Sequence, residues 1–249
     1  MSIEIRNIKK GRKLNMKGGI VVDGFPSTGL VNAIASECLI RSSGTELYAI
    51  VDSPEFPSLS IISNSTPRFP ARLHVNESLK VAFFVSEFNI HPAMQSTLAR
   101  TILKWALQNE CKMIVSAAGI VNNESEVGKS NDAPSGLEQQ AILAVGSTPS
   151  TTKIIKENGF IPLRSGSIGG IPATLLNEGS LTGQGVIVLI VNTILDAPDF
   201  RAAALISDAV IKLIPGLSCD VGSLLGEAQV IESKMKQIRD NHKKSSYIA

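Results

Sequence analysis

The chain has 249 residues, 24 Lys and Arg against 22 Asp and Glu, and a charged fraction of 18%. Its mean hydropathy is +0.17, which excludes intrinsic disorder because a disordered chain combines low hydrophobicity with high net charge. The longest wholly aliphatic run, residues 186–191, is far shorter than the roughly 20 residues of a membrane span. Residues 1–17 are charged throughout and no apolar signal-peptide core follows them, so we expect a cytoplasmic globular protein.

The net charge of +2 conceals two basic segments. Residues 1–17 carry six bases and one acid, and residues 234–244 carry five bases and one acid. They are either solvated terminal segments or surfaces that meet an acidic partner. Nucleic acid is disfavoured as a partner, because no aromatic residues alternate with the bases and no recognition motif is present.

Apolar runs alternate with helical patterns along the chain, which predicts one three-layer α/β domain with a mostly parallel central sheet. The expected strands are residues 19–23, 47–51, 79–85, 113–117, 141–145 and 186–191, and the expected helices are 28–40, 92–109, 151–158, 173–179 and 199–214. Residues 53–76 contain four prolines and short alternating runs, which predict an antiparallel excursion. Residues 120–136 are polar and predict a long loop of the functional or mobile kind.

A final helix is expected over residues 220–241. Its apolar positions follow heptad spacing and would form one seam, consisting of Leu224, Ala228, Ile231, Met235 and Ile238. A helix packed on its own domain gives a similar pattern, so the seam indicates either core packing or an interface between copies of the chain.

The cysteines and histidines offer little support for catalysis or metal binding. Cys38, Cys111 and Cys219 are odd in number and far apart, so we expect neither a zinc site nor a disulfide, and no metal or cofactor. His74 is predicted in an edge strand, and His91 is predicted to cap a helix or lie on the surface. No GxSxG motif is present, and no motif positions a carboxylate pair.

Two glycine-rich turns are candidate anion sites. The stretch 24–31 (GFPSTGLV) has the glycine spacing of a P-loop, but Leu30 and Val31 stand where the Lys and Ser/Thr would be. A structural turn is therefore favoured over a phosphate site. The stretch 165–170 (SGSIGG) could form a backbone nest for an anion, although such turns are often glycine-rich for steric reasons alone.

Three stretches together resemble the proteasome assembly chaperone family in order and spacing: 24–31 (GFPSTGLV), 53–57 (SPEFP) and 170–176 (GIPATLL). The likeness extends over residues 18–240 and leaves residues 241–249 as a flexible basic tail. The resemblance implies an α/β fold similar to nucleoside phosphorylases but without their catalytic residues. It also implies a cytoplasmic homo-oligomer that binds the α-subunits of the core proteasome, as an assembly chaperone or a regulator.

The resemblance also implies site residues. Gly24, Phe25, Pro26 and Gly29 would form the family's turn, which we expect to be structural. Some family members dock through a final hydrophobic–tyrosine–any tripeptide, and Tyr247, Ile248 and Ala249 are the corresponding residues. Here the tyrosine is third from the end instead of second, which moves the carboxylate about 3.3 Å further from it, so a solvated tail is the alternative.

A rival hypothesis makes the chain a phosphorylase-like enzyme or a small-molecule-binding protein. Its cleft would lie where parallel strands end, with the two glycine-rich turns as the floor and the 120–136 loop as a lid.

Overall fold

The computed structural model describes residues 2–9, 11, 13–121, 142–195 and 197–226. The strands found there are β1 (Glu4–Asn7), β2 (Ile20–Gly24), β3 (Glu46–Asp52), β4 (Ile61–Ser63), β5 (Thr66–Arg68), β6 (Ala71–Asn76), β7 (Val81–Ser86), β8 (Met113–Ile120), β9 (Leu143–Gly146), β10 (Ile161–Pro162) and β11 (Gly185–Asn192). The α-helices are α1 (Val31–Ser42), α2 (Pro92–Gln108), α3 (Pro149–Glu157), α4 (Gly170–Thr182) and α5 (Phe200–Leu213).

Nine strands form one mixed sheet in the order β1-β3-β6-β7-β2-β8-β11-β9-β10. The four central strands, β7, β2, β8 and β11, run parallel to one another. Antiparallel pairs adjoin them, with β6, β3 and β1 on one side and β9 on the other. The predicted α/β fold is confirmed, and residues 53–76 supply the antiparallel excursion as strand β6 and a separate hairpin, β4–β5.

Two apolar layers lie on opposite faces of the sheet. Helices α2 and α4 pack on one face, and helices α1, α3 and α5 pack on the other. Because the central strands are covered on both faces, they are apolar at consecutive positions, as residues 186–191 of β11 show. This burial explains why the apolar runs were the strongest strand signal in the sequence.

Helix ends follow local capping chemistry. Helix α2 begins at Pro92, and the Nδ1 atom of His91 accepts a hydrogen bond from the Ala93 backbone N–H at 3.3 Å. The capping role predicted for His91 is thus confirmed. Helix α4 begins at Gly170, three residues before the predicted start. The sequence reading missed β1 and β10, which are short and mostly exposed.

Two sequence predictions were wrong. His74 does not lie on an edge strand, because β6 is enclosed between β3 and β7 and the residue is buried. Cys38 and Cys219 form a disulfide with a Cα–Cα distance of 5.3 Å, although 181 residues separate them in the chain. The fold brings the end of α1 beside the segment after α5, where Ser43 and Ser218 also exchange hydrogen bonds. Cys111 is free and buried.

Candidate functional site

The carboxyl ends of β2 and β8 open onto a cavity of about 360 Å³, which we call the cleft. Both glycine-rich turns contribute to its wall, through residues 25–28 and 167–172. The remaining wall comes from the loop before α2, the first turns of α1 and α2, and the end of β8. Ligands of open α/β sheets bind at this edge, outside the carboxyl ends of the parallel strands.

The first glycine-rich turn, at residues 24–31, requires Gly24 and Gly29 for packing. Gly29 has φ +68°, and a Cβ atom there would overlap the side chain of Thr193. A Cβ atom on Gly24 would overlap Ser36 of α1, so glycine lets the strand and the helix approach closely. Phe25 is buried in the core, and both Phe25 and Pro26 line the cleft. These contacts give the two glycines a steric role that is independent of any ligand.

The second family stretch supports the loop before α2. The rings of Phe56 and Phe88 meet edge to face, with centroids 5.1 Å apart. Ser53 is buried and donates a hydrogen bond to Glu55, which closes the proline-rich turn. Since Asn89 follows Phe88 and lines the cleft, all three family stretches converge on this edge of the sheet.

Among the described residues that line the cleft, the titratable one is Asp23, which lies at the end of β2. It is 1% exposed; its Oδ2 accepts from the Ser116 hydroxyl at 2.7 Å and its Oδ1 from the Phe25 backbone N–H at 3.1 Å. Burial raises the pKa of Asp23 from 3.8 to about 6, although both hydrogen bonds act in the opposite direction. The sequence reading did not single out Asp23; its one signal was an acid ending an apolar strand.

A larger groove of about 660 Å³ runs along α1. Pro26 borders both this groove and the cleft, and Cys38 places the disulfide on the groove wall. Leu224, the first position of the predicted seam, lines the groove and is buried against its own chain.

A second polar set lies on and beside β6 and consists of the buried residues Arg72 and His74 and the exposed residue Glu87; we call it the β6 cluster. Arg72 is 1% exposed and donates to Glu87 Oε1 and to the Phe69 carbonyl, both at 2.8 Å. Neither imidazole nitrogen of His74 has a hydrogen-bond partner among the described residues. Burial, together with the positive charges of Arg72 and Arg68, lowers the pKa of His74 to about 4. His74 therefore lacks the partner that a general base requires.

Several predicted site residues lie outside the described part of the chain. They are the seam positions Ala228, Ile231, Met235 and Ile238 and the tail residues Tyr247, Ile248 and Ala249. Residues 122–136 of the predicted loop also lie outside it. Within the described residues, no group of three His, Cys, Asp or Glu side chains could hold a metal ion. None of the described helices combines the length and apolar character needed to cross a membrane.

The fold and the three converging stretches define a member of the PAC2 family, and the family model matches residues 21–239. The chain belongs to this family, which confirms the resemblance noted in the sequence.

Individual relatives extend over nearly the whole chain. An uncharacterized protein of Methanocaldococcus jannaschii is 25% identical over 232 residues, which cover 93% of this chain and 90% of the relative. The crystal structure of Pyrococcus furiosus PbaA, an archaeal homolog of proteasome-assembly chaperone, matches with a TM-score of 0.79 at 24% identity, over 98% of this chain and 94% of PbaA. Pyrococcus furiosus PbaB, an archaeal proteasome activator, matches with a TM-score of 0.75 at 19% identity, over 96% and 99% of the two chains. The shared architecture is therefore that of the entire domain.

Proposed function

We propose that this chain is a non-enzymatic chaperone or regulator that binds the α-subunits of the core proteasome in the cytoplasm. The observation that carries the proposal is PAC2 family membership over residues 21–239. The solved structures that share its fold include a homolog of a proteasome-assembly chaperone and a proteasome activator, which supports the same role.

The chemistry of the described residues supports a binding role over catalysis. Asp23 stands in the cleft without a second titratable group, so the described wall contains no nucleophile–base pair. Burial raises the pKa of the free thiol Cys111 to about 12, which keeps it protonated and unreactive.

We also propose that the chain forms homo-oligomers through the hairpin β4–β5 and its flanks. Leu59, Ile62 and Phe69 are large apolar side chains that stay exposed there, and Ile62 is 67% exposed. An apolar cluster on a chain with only 18% charged residues fits burial against a second copy. Leu224 lines the groove, and the other seam residues lie outside the described part of the chain. The predicted seam therefore remains a candidate for core packing or for an interface between copies.

The test is co-purification of the tagged chain with α-subunits expressed alone, together with sedimentation of the free chain. We expect α-subunits to be retained and the free chain to sediment as an oligomer. Ile62→Glu should shift the chain towards the monomer. Leu181→Glu is the matched control, because Leu181 is 82% exposed on α4, away from the hairpin. An unchanged sedimentation coefficient for Ile62→Glu would exclude the hairpin as the interface.

The predicted tail contact has a separate test. Deleting Tyr247, Ile248 and Ala249 should weaken α-subunit retention if the tail docks. Undiminished retention would place the contact on the folded body of the chain.

A second candidate function, small-molecule binding, is favoured by the cleft itself. Its volume of about 360 Å³ lies in the usual range for ligand pockets, roughly 300–1,000 Å³, and it occupies the usual edge of the sheet. Small-molecule binding is compatible with proteasome binding, because one folded domain could hold a ligand in the cleft and also bind the proteasome.

A further inference from the structure

The cleft is lined by a side-chain amide that has no hydrogen-bond partner among the described residues. Asn32, on the first turn of α1, is 3% exposed and lines the cleft. Its backbone N–H donates to Ser27 Oγ at 3.3 Å, whereas its side chain forms no hydrogen bond with a described residue. The amide of Asn32 therefore offers a donor and an acceptor to a molecule in the cleft.

Another wall of the cleft is the N-terminus of α4, a helix of 13 residues. No side chain caps this end, where the capping position is Gly169. Gly170 and Ile171 line the cleft, and their backbone N–H groups donate no hydrogen bond to the described residues. Free N–H groups and the helix dipole both favour an anionic group at this position.

Asp23 gives the cleft an acidic, hydrogen-bond-accepting group, in contrast to the N–H donors at the start of α4. Each carboxyl oxygen accepts one hydrogen bond from the protein, from Ser116 and from the Phe25 N–H, and retains a lone pair for a second donor. The described residues that line the cleft include no Lys, Arg or His. A buried acid without a basic neighbour favours a ligand that brings its own positive charge.

We propose that the cleft binds a small zwitterion, with the chemistry of a free amino acid or a short peptide. Its carboxylate would accept from the N–H groups of Gly170 and Ile171. Its ammonium group would donate to Asp23, and the Asn32 amide would bridge to the polar part of the ligand. Ile90 and Ile168, which also line the cleft, would contact its side chain.

The test is a thermal-shift and calorimetry screen of the full chain. The probes are the 20 standard amino acids and a set of dipeptides, which separates the two sources of this chemistry, and nucleosides and inorganic phosphate are screened beside them. At 100 times its Kd, a bound zwitterion should raise the Tm by roughly 5–10 °C. The deaminated acid and the decarboxylated amine derived from the best probe should each give no shift, since each lacks one of the two charged groups.

Variants then locate the site. Asn32→Ala and Asp23→Asn should each lower the affinity at least tenfold. Asn192→Ala is the matched control, because Asn192 is exposed at the end of β11 and does not line the cleft. If Asp23→Asn fails to fold, Asn32→Ala decides the question alone.

Three outcomes would overturn the proposal: no zwitterion shifts the Tm, a nucleoside or inorganic phosphate binds in its place, or Asn32→Ala binds as tightly as the unaltered chain. The measurements use the chain without any proteasome subunit. Their outcome is therefore independent of whether the proposed proteasome role is correct.

Discussion

The cleft and the β6 cluster both bury polar side chains on the central sheet, but these side chains face different surroundings. In the β6 cluster, Arg72 is held by Glu87 and the Phe69 carbonyl, and neither Arg72 nor His74 lines the cleft or the groove. In the cleft, Asp23 borders a cavity that is also lined by the Asn32 amide, which no described residue pairs, and by the start of α4, which no side chain caps.

The difference shows that a shifted pKa does not by itself identify a binding site. Burial raises the pKa of Asp23 and lowers that of His74, so each buried group favours its neutral form. Only Asp23 also has unsatisfied hydrogen-bonding groups around a space that a ligand can enter. The cleft is therefore the candidate for binding, and the β6 cluster is the candidate for stability.

The largest expected effect is on the β6 cluster. Arg72→Ala removes a guanidinium that is 1% exposed, together with its ion pair and its carbonyl contact. We expect the free energy of unfolding in urea to fall by about 3 kcal/mol or more, because the truncation leaves a cavity at a buried position and removes the donor to the Phe69 carbonyl. Arg100→Ala is the control, because its ion pair with Glu178 is largely exposed and should contribute less than about 1 kcal/mol. A loss for Arg72→Ala no larger than for the control would contradict the structural role.

The pH dependence of the free energy of unfolding should reveal the lowered pKa of His74. Its pKa is 6.5 in the unfolded chain and about 4 in the folded protein, so between these values the unfolded state binds more protons. This group therefore lowers stability by about 3 kcal/mol as the pH falls from about 6.5 to about 4. His74→Leu should remove that loss in urea titrations across this range. An unchanged pH profile would show that His74 is not buried as described.

Asp23 should give a dependence of the opposite sign. Its folded pKa of about 6 exceeds the ordinary value of 3.8, so between these values the folded state binds more protons. Its contribution to stability should fall by about 3 kcal/mol as the pH rises from about 4 to about 6. Asp23→Asn should abolish this decline and leave the opposing His74 slope visible. A profile that stays the same after the substitution would contradict the burial of this carboxyl.

The smallest expected effect on stability is that of Asn32→Ala. Because the side-chain amide has no partner among the described residues, its loss should change the free energy of unfolding by less than about 1 kcal/mol. The same substitution should nevertheless lower the affinity for the zwitterion at least tenfold. A large loss of stability in the urea titration would instead show that the amide has a structural partner.

The sequence predicted the fold well where local patterns decide it. Residues 186–191 of β11 are covered on both faces, so their apolar run indicated a buried strand without knowledge of its neighbours. Pro92 marked the start of α2 because proline fits the first turn of a helix. Strand β1 was missed because it is mostly exposed and pairs with β3, more than 40 residues away.

The candidate site was harder to predict because its parts are distant in sequence. The two glycine-rich turns were recognised, but the raised pKa of Asp23 comes from burial among segments distant in the sequence, such as that of Ser116, 93 residues away. Asn32 is a polar residue within a helix, and its sequence pattern gives no sign that it faces a cavity. The Cys38–Cys219 disulfide joins segments 181 residues apart, which spacing alone could not pair.

The central claim is that this PAC2 family chain binds the proteasome core, and sedimentation velocity with purified components tests it most directly. The chain would be titrated into isolated α-subunits, α-rings and complete core particles in parallel. We expect a saturable complex with at least one α-subunit form, retained in Asp23→Asn and Asn32→Ala because both side chains are almost fully buried and offer little surface to a protein partner. No complex with any of the three, at concentrations where the chain itself remains folded, would contradict it.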